Sequence, residues 1–418
     1  MQKIYSLLIL CWIASFSVQA QLIIKNITIH TGRGQIIENA NVLINASGII
    51  ENIGKNLEAS PTTPSFDGTN KHLYPGVIAP ANQLGLTEVE SVRATNDFNE
   101  VGTFNPHIRS LTAFNTDGMI TPTIRSSGVL ITQATPLGGL ISGKSSVMLL
   151  KDGLHNWEEA AYKIDDGLWI DWPARYVKGG WWGERTPTKL SEEYQKYFTE
   201  LNNFIKESKA YCENTPKETN VRMQAMCSVW AKKTQVYIRA DDAASILVAV
   251  TWAKELGLQP VIVGGADSWR VADFLAKESV AVILSRIHRL PENEDDDYDQ
   301  PYKTPQILHE KGVLFCMSMD DFWQQRNIIN QAGHAVGFGL NKEIALSTVT
   351  YNTAKILGIE SSVGSIETGK DATMIVTEGD LLDAKSSTVT HAWIKGKATD
   401  LDDKQKKLNR EYLKKYGF

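Results

Sequence analysis

The sequence has few cysteines, no large excess of either charge and no glycine-rich phosphate-binding loop. With 4 cysteines in 418 residues, a small scaffold built on disulfides is excluded. The net charge is −5, which gives no reason to predict a nucleic acid partner. Without a phosphate loop, dinucleotide binding has no support. What is present is an ordinary globular composition, with 42% hydrophobic and 22% charged residues.

The N-terminal segment has the composition of a cleaved signal peptide. Lys3 precedes an apolar run from residue 4 to about residue 18, and Val18 and Ala20 supply small residues before the expected cleavage site. A buried N-terminal helix is the alternative. We expect residues 1–20 to be removed and the mature protein to be exported, either periplasmic or secreted. No later segment is apolar for long enough to insert into a membrane.

Export would place the remaining cysteines in an oxidising compartment. Cys212 and Cys227 could pair there or remain free, because sequence spacing does not fix the distance between their side chains. Cys316 lies within the apolar stretch 313–317 and is predicted to be buried and free.

Both ends of the mature chain alternate apolar and polar residues with the period of β-strands. Short apolar runs at 22–53 are separated by the turns 31–34 and 46–48, and a matching pattern occupies 372–394. We predict one composite β-sheet domain, or β-sandwich, made from residues 21–72 and 362–400. Residues 401–418 are expected to form a helical tail.

Between these ends, strands alternate with helices. After residue 235, the apolar runs 236–238, 260–263, 280–284 and 313–317 are joined by stretches with helical periodicity. This pattern predicts an α/β fold with a parallel sheet covered on both faces. It does not separate a closed barrel from an open, doubly wound sheet.

The segment from about residue 150 to about residue 230 interrupts this alternation and is rich in tryptophan. We interpret it as an insertion. Its aromatic side chains could line a substrate groove, or they could cover the helices of the core. The tryptophans concerned are Trp157, Trp169, Trp172, Trp181 and Trp182.

Three motifs resemble those of the amidohydrolase superfamily. YPGVI at 74–78 is similar to the motif that leads into the first barrel strand of that superfamily. NTAKILG at 352–358 and GSIETGKDA at 364–372 are similar to its last helix and its return to the flanking sheet. Residues 128–145 are similar to the imidazolonepropionase-like and secreted members. The resemblance implies a (βα)8 TIM barrel over residues 73–361 and a hydrolase that acts on non-peptide C–N bonds.

In that superfamily, histidines on barrel strands one, five and six hold a divalent metal such as zinc, and an aspartate on strand eight transfers a proton. The chain has no His-x-His sequence, and no bridging lysine or carboxylate can be matched on strand four. The side chains that replace the histidines are poor metal ligands or none, so we expect no metal cofactor. The positions are Ala81 and Gln83 on strand one, Arg239 on strand five, Gly264 or Gly265 on strand six, and Asp320 as the matched catalytic aspartate.

The resemblance and the residues therefore predict two different functions. The superfamily implies a hydrolase, whereas the missing histidines favour a non-catalytic protein that binds a ligand or partner on the same barrel. In both cases we expect a small-molecule site at the carboxyl ends of the strands. Arg239 could pair with Asp320 there or bind a substrate carboxylate. The sequence also leaves open whether the protein forms a homo-oligomer. The pocket candidates are Gln83, Arg239, Asp241, His288 and Asp321.

Overall fold

The computed structural model describes residues 20–177, 189–214, 218–291, 293, 295–319 and 321–418. Residues 1–19 of the predicted signal peptide, Trp181, Trp182 and Asp320 lie outside these residues. The strands are β1 (Ala20–His30), β2 (Ile36–Asn45), β3 (Ile50–Gly54), β4 (Ser65–Asp67), β5 (His72–Pro75), β6 (Val77–Asn82), β7 (Val129–Ala134), β8 (Ile141–Leu149), β9 (Ala161–Asp171), β10 (Tyr176–Val177), β11 (Lys189–Leu190), β12 (Gln235–Ala240), β13 (Pro260–Gly264), β14 (Ala281–Leu284), β15 (Phe315–Met317), β16 (Met374–Glu378), β17 (Thr388–Ile394) and β18 (Lys397–Ala398).

The α-helices lie mainly in the second half of the chain. In the described residues, none of them is both long and apolar enough to span a bilayer. They are α1 (Thr121–Ser126), α2 (Trp157–Ala160), α3 (Tyr194–Glu213), α4 (Val221–Trp230), α5 (Ala243–Glu255), α6 (Ala272–Lys277), α7 (Gln300–Glu310), α8 (Ile328–Gly337), α9 (Lys342–Thr348), α10 (Tyr351–Ile356) and α11 (Lys404–Tyr416).

Strands from the two ends of the chain form one sheet in the order β18-β17-β16-β5-β1-β2-β3, with β4 paired to β1. The two ends meet where β5 and β16 pair antiparallel, with Pro75 opposite Met374. Alternate side chains such as Ile27, Ile29 and Val42 are fully buried in the core of this sheet. Burial of one face explains why the apolar residues recur with a period of two.

A second sheet of eight strands forms the barrel, in the order β6-β7-β8-β9-β12-β13-β14-β15. Between its two end strands, the Ser318 hydroxyl donates to the Pro80 carbonyl at 2.8 Å. The sheet is nearly closed in this way, and helices cover its second half. The predicted fold class, a TIM-type barrel beside a sheet made from both chain ends, is confirmed.

One barrel strand departs from the all-parallel pattern that the resemblance implies. Strand β8, the third in the barrel, pairs antiparallel with both β7 and β9. Only residues 135–140 separate β7 from β8, which suits a reversal of direction but is too short for a parallel crossover. Gly138 and Gly139 in this connection have positive φ angles, a conformation that glycine adopts without strain.

Helices α3 and α4 are joined by a disulfide between Cys212 and Cys227, whose sequence separation is 15. The side chain of Asn220 accepts hydrogen bonds from two backbone amides in the first turn of α4 and fixes where that helix begins. The alternative of two free thiols is therefore excluded. Cys316 is free and fully buried in β15, as the sequence predicts.

Two of the tryptophans in the 150–230 segment, Trp169 and Trp172, are buried. Trp169 lies on barrel strand β9 and is fully buried, while Trp172 packs edge-on against Phe198 and Trp252. Both therefore belong to the core of the barrel and its helices. Trp172 also lines the cavity described below.

Two histidines and a glutamate lie where the end sheet meets the last helices of the barrel. The buried His30 Nδ1 is 2.8 Å from Glu343 Oε1, and its Nε2 is 3.1 Å from Nδ1 of His72. Burial lowers the pKa of His72, and its electrostatic interaction with His30 lowers it further, while Asp380 opposes both effects. The folded protein therefore favours a neutral His72.

We expect His72 to make the protein less stable in acid. Its pKa lies below 6.5 in the folded state and near 6.5 in the unfolded chain. As pH falls below about 6.5, the unfolded chain therefore binds more protons, and the free energy of unfolding decreases. Urea unfolding at about pH 7.5 and about pH 5.5 should show a smaller pH effect for His72→Gln than for the original protein. The exposed His309→Gln should keep the full effect, and equal slopes for all three proteins would contradict the prediction.

Candidate functional site

The carboxyl ends of barrel strands β9 and β12 open into a cavity of about 830 Å³. Helix α5 begins at its edge, where the Asp242 side chain accepts a hydrogen bond from the Ser245 amide at 2.9 Å. A volume of this size is typical of sites for small molecules. The polar and aromatic side chains at its wall include Asp171, Trp172, Arg175, Arg239, Asp241, Asp242 and Asp267.

An arginine–aspartate pair occupies the inner wall of this cavity. Nη1 of Arg239 donates to both carboxylate oxygens of Asp171, at 2.9 and 3.1 Å. The two side chains are only 20% and 30% exposed, so their charges attract each other more strongly than on an open surface. Arg239 and Asp171 face each other because β12 and β9 are parallel neighbours that pair at these two residues.

Further contacts hold the Arg239 guanidinium in place. Its Nη2 donates to the Pro136 carbonyl at 2.7 Å, and the Ser142 hydroxyl donates to Asp171 at 2.7 Å. The guanidinium carbon lies 4.4 Å from the ring centre of Trp169, a cation–π distance. Arg239 is therefore a fixed cation at the barrel mouth.

Beneath this pair, a fully buried carboxyl group lies among three hydrogen-bond donors. Asp166 accepts from the Ser145 hydroxyl at 2.8 Å, from the Gln133 amide at 2.7 Å and from the Tyr237 hydroxyl at 3.2 Å. Burial raises the pKa of Asp166, although the three hydrogen bonds oppose this effect. The same Gln133 accepts from the Ala81 amide at 3.1 Å, so the network extends to the first barrel strand.

The positions that the superfamily fills with strand-one histidines are joined to this scaffold. Ala81 has a positive φ of 55°, and its side chain carries no donor or acceptor. The Gln83 amide donates to the Thr135 hydroxyl at 3.3 Å, and Thr135 in turn donates to the Asn82 carbonyl. Gln83 therefore orders the connection after β7.

The strand-six position disfavours any side chain larger than that of glycine. Gly264 has a φ of 99°, and a Cβ atom built on it would lie 2.4 Å from Oδ1 of Asp241. Gly265 is also left-handed, and its Cβ would lie 2.9 Å from the Val282 side chain. A histidine at either residue would require both backbone strain and a shift of its neighbours.

The remaining predicted site residues do not all meet at the cavity. Asp241 and Arg239 line it. His288 does not line it and instead contacts His334 and lies near Tyr302. The Asp321 carboxylate accepts from the Gln324 amide at 2.8 Å and so caps a short turn. Asp320 lies outside the described residues, and the partner of Arg239 in the structure is Asp171.

The side chains at the barrel mouth are poorly suited to binding a divalent metal. In the part of the chain that the structure describes, which leaves out Asp320, no three side chains of His, Cys, Asp or Glu converge as ligands. Asp171 is paired with a permanent cation, which repels a metal ion. Ala81 and Gly264 contribute no ligand atom.

Sequence reasoning missed Asp171 and Asp166. Both lie on β9, inside the segment that the sequence suggests is an insertion. The signal was the apolar run Leu168-Trp169-Ile170, which ends in an acidic residue as a barrel strand with a functional carboxyl end does. The high tryptophan content of the surrounding segment concealed it.

Comparisons with known proteins agree with this architecture. The sequence model of the Amidohydrolase family matches residues 299–399. An amidohydrolase structure from Thermotoga maritima is 24% identical, with a TM-score of 0.75 over 90% of this chain and 99% of that one. No curated protein sequence matches the chain at a significant level.

Two more distant structures share the fold. One is a putative prolidase from Bifidobacterium longum, with 16% identity and a TM-score of 0.56 over 95% of this chain and 99% of that one. The other is an adenosine deaminase from Xanthomonas campestris with bound zinc, with 12% identity and a TM-score of 0.54 over 95% and 98%. The resemblance of this chain to the amidohydrolase superfamily is thus confirmed, in fold over nearly its whole described length and in sequence over residues 299–399.

Proposed function

We propose that this chain binds a small polar molecule at the barrel mouth and does not activate water on a divalent metal. The observation that carries the proposal is the fixed position of Arg239. This cation lies where the superfamily has a strand-five histidine, and it is paired with Asp171 at 2.9 Å. An amidohydrolase barrel without the metal mechanism is then a ligand-binding relative, since fold alone does not dictate chemistry.

Three features of the residues support the absence of metal chemistry. Ala81 supplies no ligand atom, and Gln83 uses its amide to hold Thr135. A side chain in place of Gly264 would require backbone strain and a shift of Asp241. A metal ion would also have to overcome repulsion by Arg239, because a guanidinium stays charged at any physiological pH.

The charges around the cavity favour a ligand that carries groups of both signs. Arg175 and Arg239 bring positive charge to the wall, and the carboxylates that line it include Asp171, Asp241, Asp242 and Asp267. Such walls complement a zwitterion better than a purely apolar molecule, because each ligand charge then meets its opposite. Trp172 adds an aromatic surface for the uncharged part of the ligand.

A hydrolase that acts on non-peptide C–N bonds is the second candidate. It is favoured by the structural relatives, among them molecules described as a putative prolidase and as a molinate hydrolase. This candidate requires ligands beyond those described above. Asp320, the residue that matches the strand-eight aspartate, would have to take part.

We also propose that the protein is exported. The disulfide between Cys212 and Cys227 supports this, because such bonds persist mainly in oxidising compartments. Sequencing of the mature N-terminus tests it, and a mature chain that begins at Met1 would overturn it.

Measuring the metal content distinguishes the ligand-binding function from the metal-dependent hydrolase. Elemental analysis of protein purified without chelator should give well under one equivalent of zinc, iron or manganese. Hydantoins, N-acyl amino acids and Xaa-Pro dipeptides should not be hydrolysed faster when zinc is added. A stoichiometric metal together with zinc-stimulated turnover would establish the hydrolase and overturn our proposal.

Ligand binding is tested directly through thermal stability. Xaa-Pro dipeptides, as zwitterionic probes, should raise the melting temperature of the original protein by mass action. Arg239→Met should abolish this shift. Arg109→Met breaks a comparable pair with Asp165, at 2.8 Å and away from the cavity, and should keep it. An identical shift in both variants would show that the probes do not use the proposed site.

A further inference from the structure

Helix α11 (Lys404–Tyr416) is amphipathic and is exposed along its whole length. Every side chain from residue 404 to residue 418 is exposed, and none of the helix is buried. The apolar residues Leu408, Tyr412 and Tyr416 follow one another at intervals of four, so they lie along one face. Their exposed fractions are 40%, 53% and 65%. The described residues leave this apolar face largely exposed, and exposed apolar surface of this kind is typical of an interaction site.

The charged residues of α11 lie on the opposite half of the helix. With 3.6 residues per turn, all of them fall outside the arc that holds Leu408, Tyr412, Leu413 and Tyr416. Lys415 lies at the border, with its Nζ 5.8 Å and 5.6 Å from the ring centres of Tyr412 and Tyr416. The charged set consists of Lys404, Lys406, Lys407, Arg410, Lys414 and Lys415, with the single acid Glu411.

Side-chain hydrogen bonds attach the start of α11 to the barrel. The Thr123 hydroxyl donates to the Gln405 side chain at 2.9 Å, and the Ser126 hydroxyl donates to Asp403 at 2.8 Å. Asp403 also caps the helix by accepting from the Lys406 amide at 2.9 Å. An isolated helix of 13 residues is marginal in water, so a second surface would stabilise this one.

We propose that α11 binds the surface of an anionic lipid membrane, with its apolar face among the acyl chains and its lysines at the headgroups. A lipid surface needs nothing beyond the two faces that this helix presents: a cationic polar face and a modest apolar face. Tyrosine suits the boundary between them, because its ring is apolar and its hydroxyl is polar.

The distribution of charge favours a membrane contact through this helix alone. The six cations and one acid give α11 a net charge of +5, while the whole chain carries −5, so the remaining residues carry −10. Anionic lipid attracts the helix and repels the rest of the protein. The barrel would therefore be held away from the membrane, with α11 as the point of attachment.

Vesicle flotation tests the proposal on the full chain. Vesicles of phosphatidylcholine with phosphatidylglycerol should carry the protein upward, and vesicles of phosphatidylcholine alone should not. Lys407→Glu with Lys414→Glu should weaken binding by at least about tenfold, since each cation near an anionic surface contributes about fivefold. Lys55→Glu with Lys233→Glu changes the net charge equally on the body of the protein and should leave binding unchanged.

The apolar face has its own pair of variants. Leu408→Ser with Tyr412→Ser should abolish flotation, and Leu408→Phe with Tyr412→Phe should retain it. Because these side chains are exposed, none of the substitutions should unfold the barrel. The proposal is overturned by absence of flotation, by equal binding to neutral vesicles, or by equal loss in the body variant. A dimer that dissociates in Leu408→Ser with Tyr412→Ser, without flotation of the original protein, would instead assign the face to a second copy.

Discussion

Replacing Asp166 by alanine should lower the free energy of unfolding by about 4 kcal/mol, because three buried donors lose their acceptor and each costs about 1–3 kcal/mol. Ser145, Gln133 and Tyr237 all donate to this carboxyl group. No water can replace it without entering the barrel core, since Asp166 is 1% exposed. Urea unfolding followed by tryptophan fluorescence measures the change.

Two milder variants identify the cause of that loss. Asp166→Asn keeps the shape and one acceptor oxygen, so it should cost clearly less than Asp166→Ala. Tyr237→Phe removes a single hydroxyl and should cost about 1 kcal/mol. If Asp166→Ala were within about 1 kcal/mol of the original protein, the network would not contribute to stability as we expect.

Removing the disulfide should have the second largest effect. With both Cys212 and Cys227 changed to serine, the free energy of unfolding should fall by about 3 kcal/mol, the value for a closed loop of this length. The cross-link restricts the unfolded chain, and the serine variant regains that freedom. Thermal and urea unfolding of the oxidised protein and of the double variant measure the difference.

A reducing agent provides the control for this prediction. It should destabilise the original protein by a similar amount and leave the double serine variant unchanged. Cys316 is free and fully buried in β15, so its thiol cannot account for an effect of the reductant. Equal stability of the original protein with and without reductant would contradict the prediction.

Much of the fold could be predicted from the sequence because its signals are local. The period-two pattern of β1 and β2 arises from burial of one face, and YPGVI at 74–78 marks the passage into the barrel. The antiparallel direction of β8 could not be predicted. It depends on a short connection closed by Gly138 and Gly139, and nothing in the strand residues themselves encodes direction.

The candidate site was less predictable because its partners are distant in sequence. Arg239 could be placed on the fifth strand, but its partner Asp171 is 68 residues away and belongs to a strand that looked like an insertion. Gly264 shows the same limit, since the close approach of its backbone to Asp241, which follows the neighbouring strand β12, is not visible in the sequence. Which residues face each other across two strands depends on the register of those strands, and this register cannot be derived from the sequence alone.

The antiparallel strand β8 also bears on the order in which the protein folds. Its pairing with β7 and β9 gives residues 129–171 a meander with short connections, so these contacts close small loops. By contrast, β5 and β16 pair across about 300 residues of chain, for example His72 with Thr377. Contacts between sequence neighbours form sooner than such distant pairs. The meander can therefore form early in folding, whereas β5 must wait until β16 is available to pair with it.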